Sequence, residues 1–440
     1  MGAISMHKMA GSGYSAGPIA LNAPVSRFLP PSRSIMPPVS ASGAPSDRPH
    51  RLLVWHWGRR GGGPRYTLEM ARALAARGDV ELHLSYSRQS ELAAEMDELA
   101  RGLGRPGLVI DTYTGVVSAA AATLRLGGLR RRFAAYLAAH RIDTVFCTMG
   151  HVWNAAVSPV IRRAGAGYVL ILHDARPHPG EESWVLEWLA RRDVARAERV
   201  VVLSQHVRAL AMARFGLPPE RLVILPHAAM AFPGLRPAER QAPQGRPWRL
   251  VFFGRILAYK GFDLLLDTYA RLRAQFGAGV ELHVAGYGDT APFAAQLAAL
   301  PGVTLDNRWI AEDEIGPILN AADLLLLPYR EASQSGVAPG AAMAGLPAVA
   351  TPVGGLAEQV IDGRTGRIAA SVDADALAAA AASLMTDAAL YRRCSAGALQ
   401  FARDTLSWEA SAARVMEAAT GLIGEKSVAC QSAPPATRSR

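Results

Sequence analysis

"FFGRILAYKGFDLLL", residues Phe252–Leu266, starts as an apolar strand, breaks at a loop carrying Arg255 and Lys260, and resumes as a leucine-rich helix. Strand, loop and amphipathic helix form the repeating unit of a parallel sheet covered on both faces. The same rhythm recurs to either side. Upstream stand "LLVWHW", "VELHLSYS", "LVIDTY", "DTVFCTM", "YVLILHD", "RVVVLS" and "LVILPH"; from residue 249 on come "RLVFFG", "VELHVAG", "VTLDNRW", "DLLLLPY", "PAVAT" and "TGRIAA". Helical patterns separate most of these runs. Between the two series lies "PGLRPAERQAPQGRPW", Pro233–Trp248, whose Pro, Gly and Arg read as a linker. The expected fold is α/β: two doubly wound, Rossmann-like parallel-sheet domains, residues 51–232 and 249–425, facing across a cleft and joined by 233–248. Ligands bind such sheets beyond the carboxyl ends of the strands, so the cleft is the expected site. The last helical stretch, Trp408–Ile423, is a candidate to pack back on the first domain.

Residues 1–50, rich in Pro, Ser, Gly and Ala, lack the apolar segment of a signal peptide and read as a disordered leader, with Met6, Met9 and Met36 as alternative starts. Residues 426–440 read as a second loose tail. The formal charge of +10 divides unevenly: 25 Lys/Arg against 16 Asp/Glu over residues 51–236, but 15 against 20 over 237–425. A basic first half calls for an anionic partner, a membrane surface or a phosphorylated substrate. Nucleic acid is disfavoured, because no zinc-finger spacing, aromatic RNA-binding motif or basic zipper accompanies the charge. No apolar run approaches the roughly 20 residues of a membrane span. The three cysteines, Cys147, Cys394 and Cys430, show neither disulfide framework nor metal spacing, and fit a reducing compartment.

Four loops could carry chemistry. "GRRGGGP", Gly58–Pro64, follows the first strand and opens a helix; its glycines either let backbone N–H groups approach an anion or simply make a flexible turn. Arg255 and Lys260 are two cations on one strand-end loop, suited to a diphosphate whose charge grows as it leaves. "AGYGD", Ala285–Asp289, is a glycine-broken strand end. "HDARPHPGEE" places His173 and His178 after an apolar strand, as substrate contacts or as structural histidines. Asp373 and Asp375 in "DAD" read better as carboxylates at a helix start than as metal ligands. "TLRLGGLRRRFAAYLAAH", Thr123–His140, reads as one basic helix, lying on an anionic membrane or packing its apolar stripe into the core.

Together these loops, "VVLSQHVRALAMARFGLPPERLVILPH", "ADLLLLPYREASQSGV", "AMAGLPAVATPVGGLAEQVIDGRTGRI" and "SWE" resemble the retaining glycosyltransferases of family 4, with the two-domain GT-B fold, over roughly residues 51–423. The resemblance implies a nucleotide-diphosphate sugar as co-substrate, no cofactor or metal, and a glycan or lipid-linked acceptor. It implies that Arg255 and Lys260 bind the diphosphate, that His173 sits near the transferred sugar, and that Gly61, Gly62, Gly63 and Gly254 face the donor. Arg308 would lie beside the base. Gln334, Ser335 and Gly336 would hold sugar and phosphates with backbone donors, and Glu358 matches a recurrent family position. A cytoplasmic enzyme on the inner face of an anionic membrane is the expected setting.

One departure stands out. Many members carry two glutamates separated by seven residues before this last helix. Glu331 lies near the first position, but the second falls at Gly340 or a neighbour, none acidic, and Pro339 stands eight residues after Glu331. Ribose contact by that carboxylate does not carry over. A sugar-nucleotide epimerase, a phosphorylase, or a non-catalytic sugar-nucleotide binder on the same fold are the alternatives. A phosphorylase usually needs pyridoxal phosphate on a lysine, and Lys260, the only lysine in residues 51–425, is better used as a phosphate cation.

Overall fold

The computed structural model describes residues 48–176 and 183–431. His178, nearly all of the expected leader and the end of the expected tail lie outside the described residues. Strand β1 (His50–His56) already includes His50, and the helix Trp408–Gln431 runs past residue 426.

All thirteen expected strands form. β1, β2 (Val80–Ser87), β3 (Leu108–Ile110), β4 (Thr144–Cys147), β5 (Gly167–Leu172), β6 (Arg199–Val202) and β7 (Leu222–Ile224) make a seven-stranded parallel sheet in the order β3-β2-β1-β4-β5-β6-β7. β8 (Trp248–Phe253), β9 (Val280–Ala285), β10 (Val303–Asp306), β11 (Leu324–Leu327), β12 (Ala348–Ala350) and β13 (Gly366–Ile368) make a six-stranded parallel sheet in the order β10-β9-β8-β11-β12-β13. The apolar runs of the central strands are continuous because both of their faces are buried, whereas the edge strands β7, β10 and β13 are only partly covered. In β1, Leu53 and Trp55 enter the core on one side of the sheet while Leu52 and Val54 enter the core on the other.

The order reverses between β1 and β4 in the first sheet and between β8 and β11 in the second. Each reversal opens a crevice at the carboxyl edge, where loops diverge to opposite faces. The Gly61–Gly63 loop follows β1, the Arg255–Lys260 loop follows β8, and the Ser-Gln-Ser-Gly stretch follows β11, so the topology delivers all three to crevices. The helix Trp408–Gln431 packs on the first sheet: Ala412, Val415, Met416, Ala419 and Leu422 join its core beside Leu52 and Val54.

The basic stretch expected as one helix is two, Val116–Leu124 and Leu126–Ala139, broken at Arg125. Phe133 and Leu137 are buried in the core, with Leu126 and Leu129 packed against it. The apolar stripe of this segment therefore serves the core and is not available to a bilayer.

Candidate active site

The crevice of the first sheet is built around histidines. His173, following β5, donates from Nε2 to the Thr148 carbonyl oxygen (2.9 Å), which leaves Nδ1 as an acceptor. Burial lowers its pKa and keeps the ring neutral. Its ring meets Tyr66 edge-on at 5.5 Å, and Tyr66 in turn packs against His227 and Trp408. His56, at the end of β1, is buried with neither ring nitrogen hydrogen-bonded, and burial pushes its pKa down to about 3.

The three glycines after β1 differ in their surroundings. Gly61 has φ +88°, a conformation side chains disfavour, and its N–H donates to Glu91 Oε1 at 2.8 Å. A Cβ on Gly63 would meet the His56 ring and Met149 Sδ, both at 2.9 Å. Gly62 faces open space. Close packing and backbone conformation explain two of the three, and the Gly61 amide, expected to face a ligand, is already held by a carboxylate.

Across from them, the loop after β8 closes in a single tight turn, Ala258–Lys260, stopped by Gly261 at φ +65°. A Cβ on Gly261 would lie 2.0 Å from the Pro328 carbonyl oxygen, so only glycine lets this loop press against the one that follows β11. The Lys260 ammonium lies over the Tyr329 ring (4.3 Å to its centre) and donates a 2.7 Å hydrogen bond to the Tyr329 hydroxyl. Tyr329 Oη is 3.3 Å from Ser335 Oγ. Gln359 clamps the Ser335 backbone, accepting from its N–H (2.7 Å) and donating to its carbonyl (2.9 Å). Ser335 N–H, expected as a phosphate donor, is thus spoken for; the residue shapes the loop through its backbone. Arg255 is exposed and, with Leu257, Phe262 and Tyr287, lines an open pocket of about 410 Å³ beside it.

The two sheets meet at this point. Gln334 Nε2 lies 3.5 Å from His173 Nδ1. Ser204 Oγ donates to the Ser333 carbonyl oxygen (3.3 Å), and Glu358 accepts from the N–H groups of Gln205 (2.7 Å) and His206 (3.0 Å), which open the helix Gln205–Phe215. Arg65 pairs with Glu312 from the other domain. Neutral imidazole, polar loop and ammonium thus follow one another through His173–Gln334 and Ser335–Tyr329–Lys260, with Arg255 on the Lys260 loop, a set able to hold a polar ligand bearing an anionic group.

Two family models match the chain. "Glycosyl transferase 4-like domain" covers residues 61–228 and "Glycosyl transferases group 1" covers 247–387. The chain belongs to the family 4 type of glycosyltransferases. Among its relatives is the GDP-mannose-dependent alpha-(1-6)-phosphatidylinositol monomannoside mannosyltransferase of Mycolicibacterium smegmatis, 27% identical over 292 residues, covering 61% of this chain and 74% of that protein. A D-inositol 3-phosphate glycosyltransferase of Geodermatophilus obscurus is 31% identical over 261 residues, 56% of this chain and 57% of that one. The chain spans about half the length of several such relatives. The solved structure of Anabaena HepE with UDP and glucose superposes with a TM-score of 0.64 at 15% identity, covering 84% of this chain and all of that one, a likeness of fold.

Within this glycosyltransferase, three expected donor residues stand apart from the Lys260 network. Arg308 is exposed and committed to Glu314 through two hydrogen bonds (2.8 and 2.6 Å), which hold the Glu314 carboxyl down to about 2. Glu331 is exposed, anchored through its N–H to the Tyr259 carbonyl. Glu358 spends its carboxylate on the helix of the other domain. A side chain at 340, where the resemblance places the expected second carboxylate or beside it, meets Phe232: a Cβ there would lie 2.8 Å from Phe232 Cε2. Asp373 accepts from Ala376 N–H (2.8 Å), a helix cap, and Asp375 pairs with Arg271. The residues that sequence reasoning missed are Tyr329, Gln359 and His56. A tyrosine two residues past a strand end and a glutamine beside Glu358 were visible, but their partners lie 69 and 24 residues away.

Proposed function

We propose that this glycosyltransferase moves a hexose from a UDP- or GDP-linked sugar to an acceptor hydroxyl with retention of anomeric configuration, the acceptor being a lipid-linked or surface-polysaccharide intermediate. The observation that carries the reading is the Lys260 ammonium, held at 2.7 Å by Tyr329 at the switch point of the second sheet, with Arg255 on the same loop. A held ammonium with a guanidinium on the same strand-end loop suits a diphosphate whose charge develops as it departs, and preorganised charge is worth most at that moment.

In this reading Arg255 and Lys260 neutralise the leaving nucleoside diphosphate as the bond between its oxygen and the sugar C1 breaks. The acceptor oxygen bonds to C1 from the same face and passes its proton to the departing phosphate oxygen. His173, its Nε2–H spent on Thr148, offers Nδ1 to a hydroxyl of the transferred sugar beside Gln334. The proposal calls on no metal. Closure of the two domains excludes water from the crevice. A relative named for GDP-mannose and a phosphatidylinositol monomannoside, together with the basic first half, supports a lipid-linked acceptor.

The test is a thermal-shift screen of nucleoside diphosphates and their sugars, followed by transfer assays. Ligand binding to the native state alone raises the melting temperature, so one base series is expected to stabilise the chain. Near-normal turnover in both Arg255→Ala and Lys260→Ala would sink the assignment.

A further inference from the structure

The first two turns of the helix Trp184–Arg196 leave Trp184 82%, Val185 41%, Leu186 49% and Trp188 48% exposed. Single exposed apolar side chains are ordinary, whereas four within five residues make a patch. The other end of the helix is anchored. Asp193 and Val194 are buried, and Asp193 accepts from the Tyr168 hydroxyl (2.9 Å) and Asn154 Nδ2 (3.1 Å). The patch is therefore a projecting tip on a fixed stem.

Its place in the fold ties it to the crevice. This helix connects β5 to β6, so its first turn stands at the carboxyl edge of the sheet, eleven residues after His173. Trp184, Trp188 and Arg192 recur every four residues, one stripe along the helix. The Arg192 guanidinium lies 3.8 Å over the Trp188 ring, with Arg191 and Arg214 paired to Glu187 alongside. Trp184 thus leads at the tip, and the backbone of Arg192 follows roughly 12 Å behind along the axis at 1.5 Å per residue, its guanidinium over the Trp188 ring. A bilayer surface presents the matching gradient, acyl chains below and anionic phosphates above, and tryptophan favours that boundary. Glu181 and Glu182 precede the helix in the sequence and Arg191 is paired with Glu187, so the attraction to anionic lipid rests on Arg192 and the wider positive charge of the domain. A glycan platform would use the rings but has no need for Val185 and Leu186.

We infer that the tip of this helix seats in the headgroup and acyl boundary of an anionic bilayer, so that the acceptor side of the crevice opens at the membrane surface. The inference deepens, and rests on, the reading of the acceptor as lipid-linked. It moves the membrane contact from the Thr123–His140 segment, whose stripe is buried, to the Trp184 helix.

The experiment is sedimentation of the full chain with vesicles of phosphatidylcholine containing phosphatidylglycerol and of phosphatidylcholine alone, with tryptophan quenching by brominated lipid. The wild type should partition onto the anionic vesicles, with W184S/W188S about tenfold weaker or worse and its melting temperature unchanged. Arg192→Gln should weaken binding to the anionic vesicles alone. No partition by the wild type, or equal partition by the double variant, overturns the inference. Loss of binding to a soluble glycan by the double variant, without vesicle partition by the wild type, overturns it in favour of a sugar platform. Transfer assays separate the two readings: vesicle binding that depends on the tryptophans, with no lipid-linked acceptor used, leaves the surface standing and removes the acceptor assignment.

Discussion

Glu358 of the second domain caps a helix of the first: its carboxylate oxygens accept from Gln205 N–H at 2.7 Å and from His206 N–H at 3.0 Å. A negative charge at a helix N-terminus satisfies otherwise orphaned donors and the helix dipole together. The next residue, Gln359, fixes Ser335, so one short segment joins the domain contact to the donor loop. Glu358→Ala should cost about 1–2 kcal/mol of stability and lower kcat/KM, while Glu358→Gln, which keeps an acceptor oxygen, should recover part of both. Denaturation midpoints and steady-state kinetics check this. Equal losses in the two variants would contradict a capping role.

The Tyr329 hydroxyl holds the Lys260 ammonium at 2.7 Å, and the proposed function gives that charge its role. Lys260→Ala should lower kcat by about a hundredfold or more, the scale for losing one preorganised charge. Tyr329→Phe keeps the cation but removes its acceptor, and should cost about tenfold. Single-turnover assays with a fixed donor separate the chemical step from product release. A Tyr329→Phe loss as large as that of Lys260→Ala would make the tyrosine, not the cation, the critical group.

At position 340, introducing the acidic residue that the resemblance leads one to expect there should harm the protein. Gly340→Glu drives a side chain into Phe232, and overpacking of this kind costs about 1–3 kcal/mol. Combining it with Phe232→Ala should recover more than the sum of the single changes allows, a coupling of at least about 0.5 kcal/mol in a double-mutant cycle. Additive losses would refute the steric explanation.

Buried histidines make stability depend on pH. Burial pushes His56 down to about 3 and His227 down to about 4. The unfolded chain protonates both near about 6.5, so it binds more protons between about pH 4 and 6.5, and stability rises with pH through that window. The stabilisation is fully present above about 6.5 and drains away as pH falls toward the folded values. His151, pushed down to about 4, and His173, lowered by burial, act in the same sense, while Asp193, pushed up to about 6 by burial, acts in the opposite sense over part of the range. Urea midpoints should climb across the window; a flat or falling series would contradict neutral burial of the two rings.

Strands were legible because burial on two faces leaves an unbroken apolar run, as Leu52, Leu53, Val54 and Trp55 do in β1. The cationic loop was legible because its glycine, arginine and lysine are neighbours in sequence. Glu358 was visible as a residue but its purpose was not, since its partners stand 153 and 152 positions away. Gly63 was read for ligand approach and is required by His56, seven residues earlier but folded beneath it. The break at Arg125 is invisible to periodicity, because both halves keep helical spacing.

The measurement that bears most directly on the claim that Arg255 and Lys260 hold a nucleoside diphosphate is calorimetric titration of UDP and GDP, and of the parent nucleosides, into the wild type, Arg255→Ala and Lys260→Ala. One diphosphate should bind the wild type and weaken by about tenfold or more in each variant, the scale of a lost charge-assisted contact, while the nucleoside is unaffected. Binding of neither diphosphate, or wild-type affinity in both variants, would contradict it.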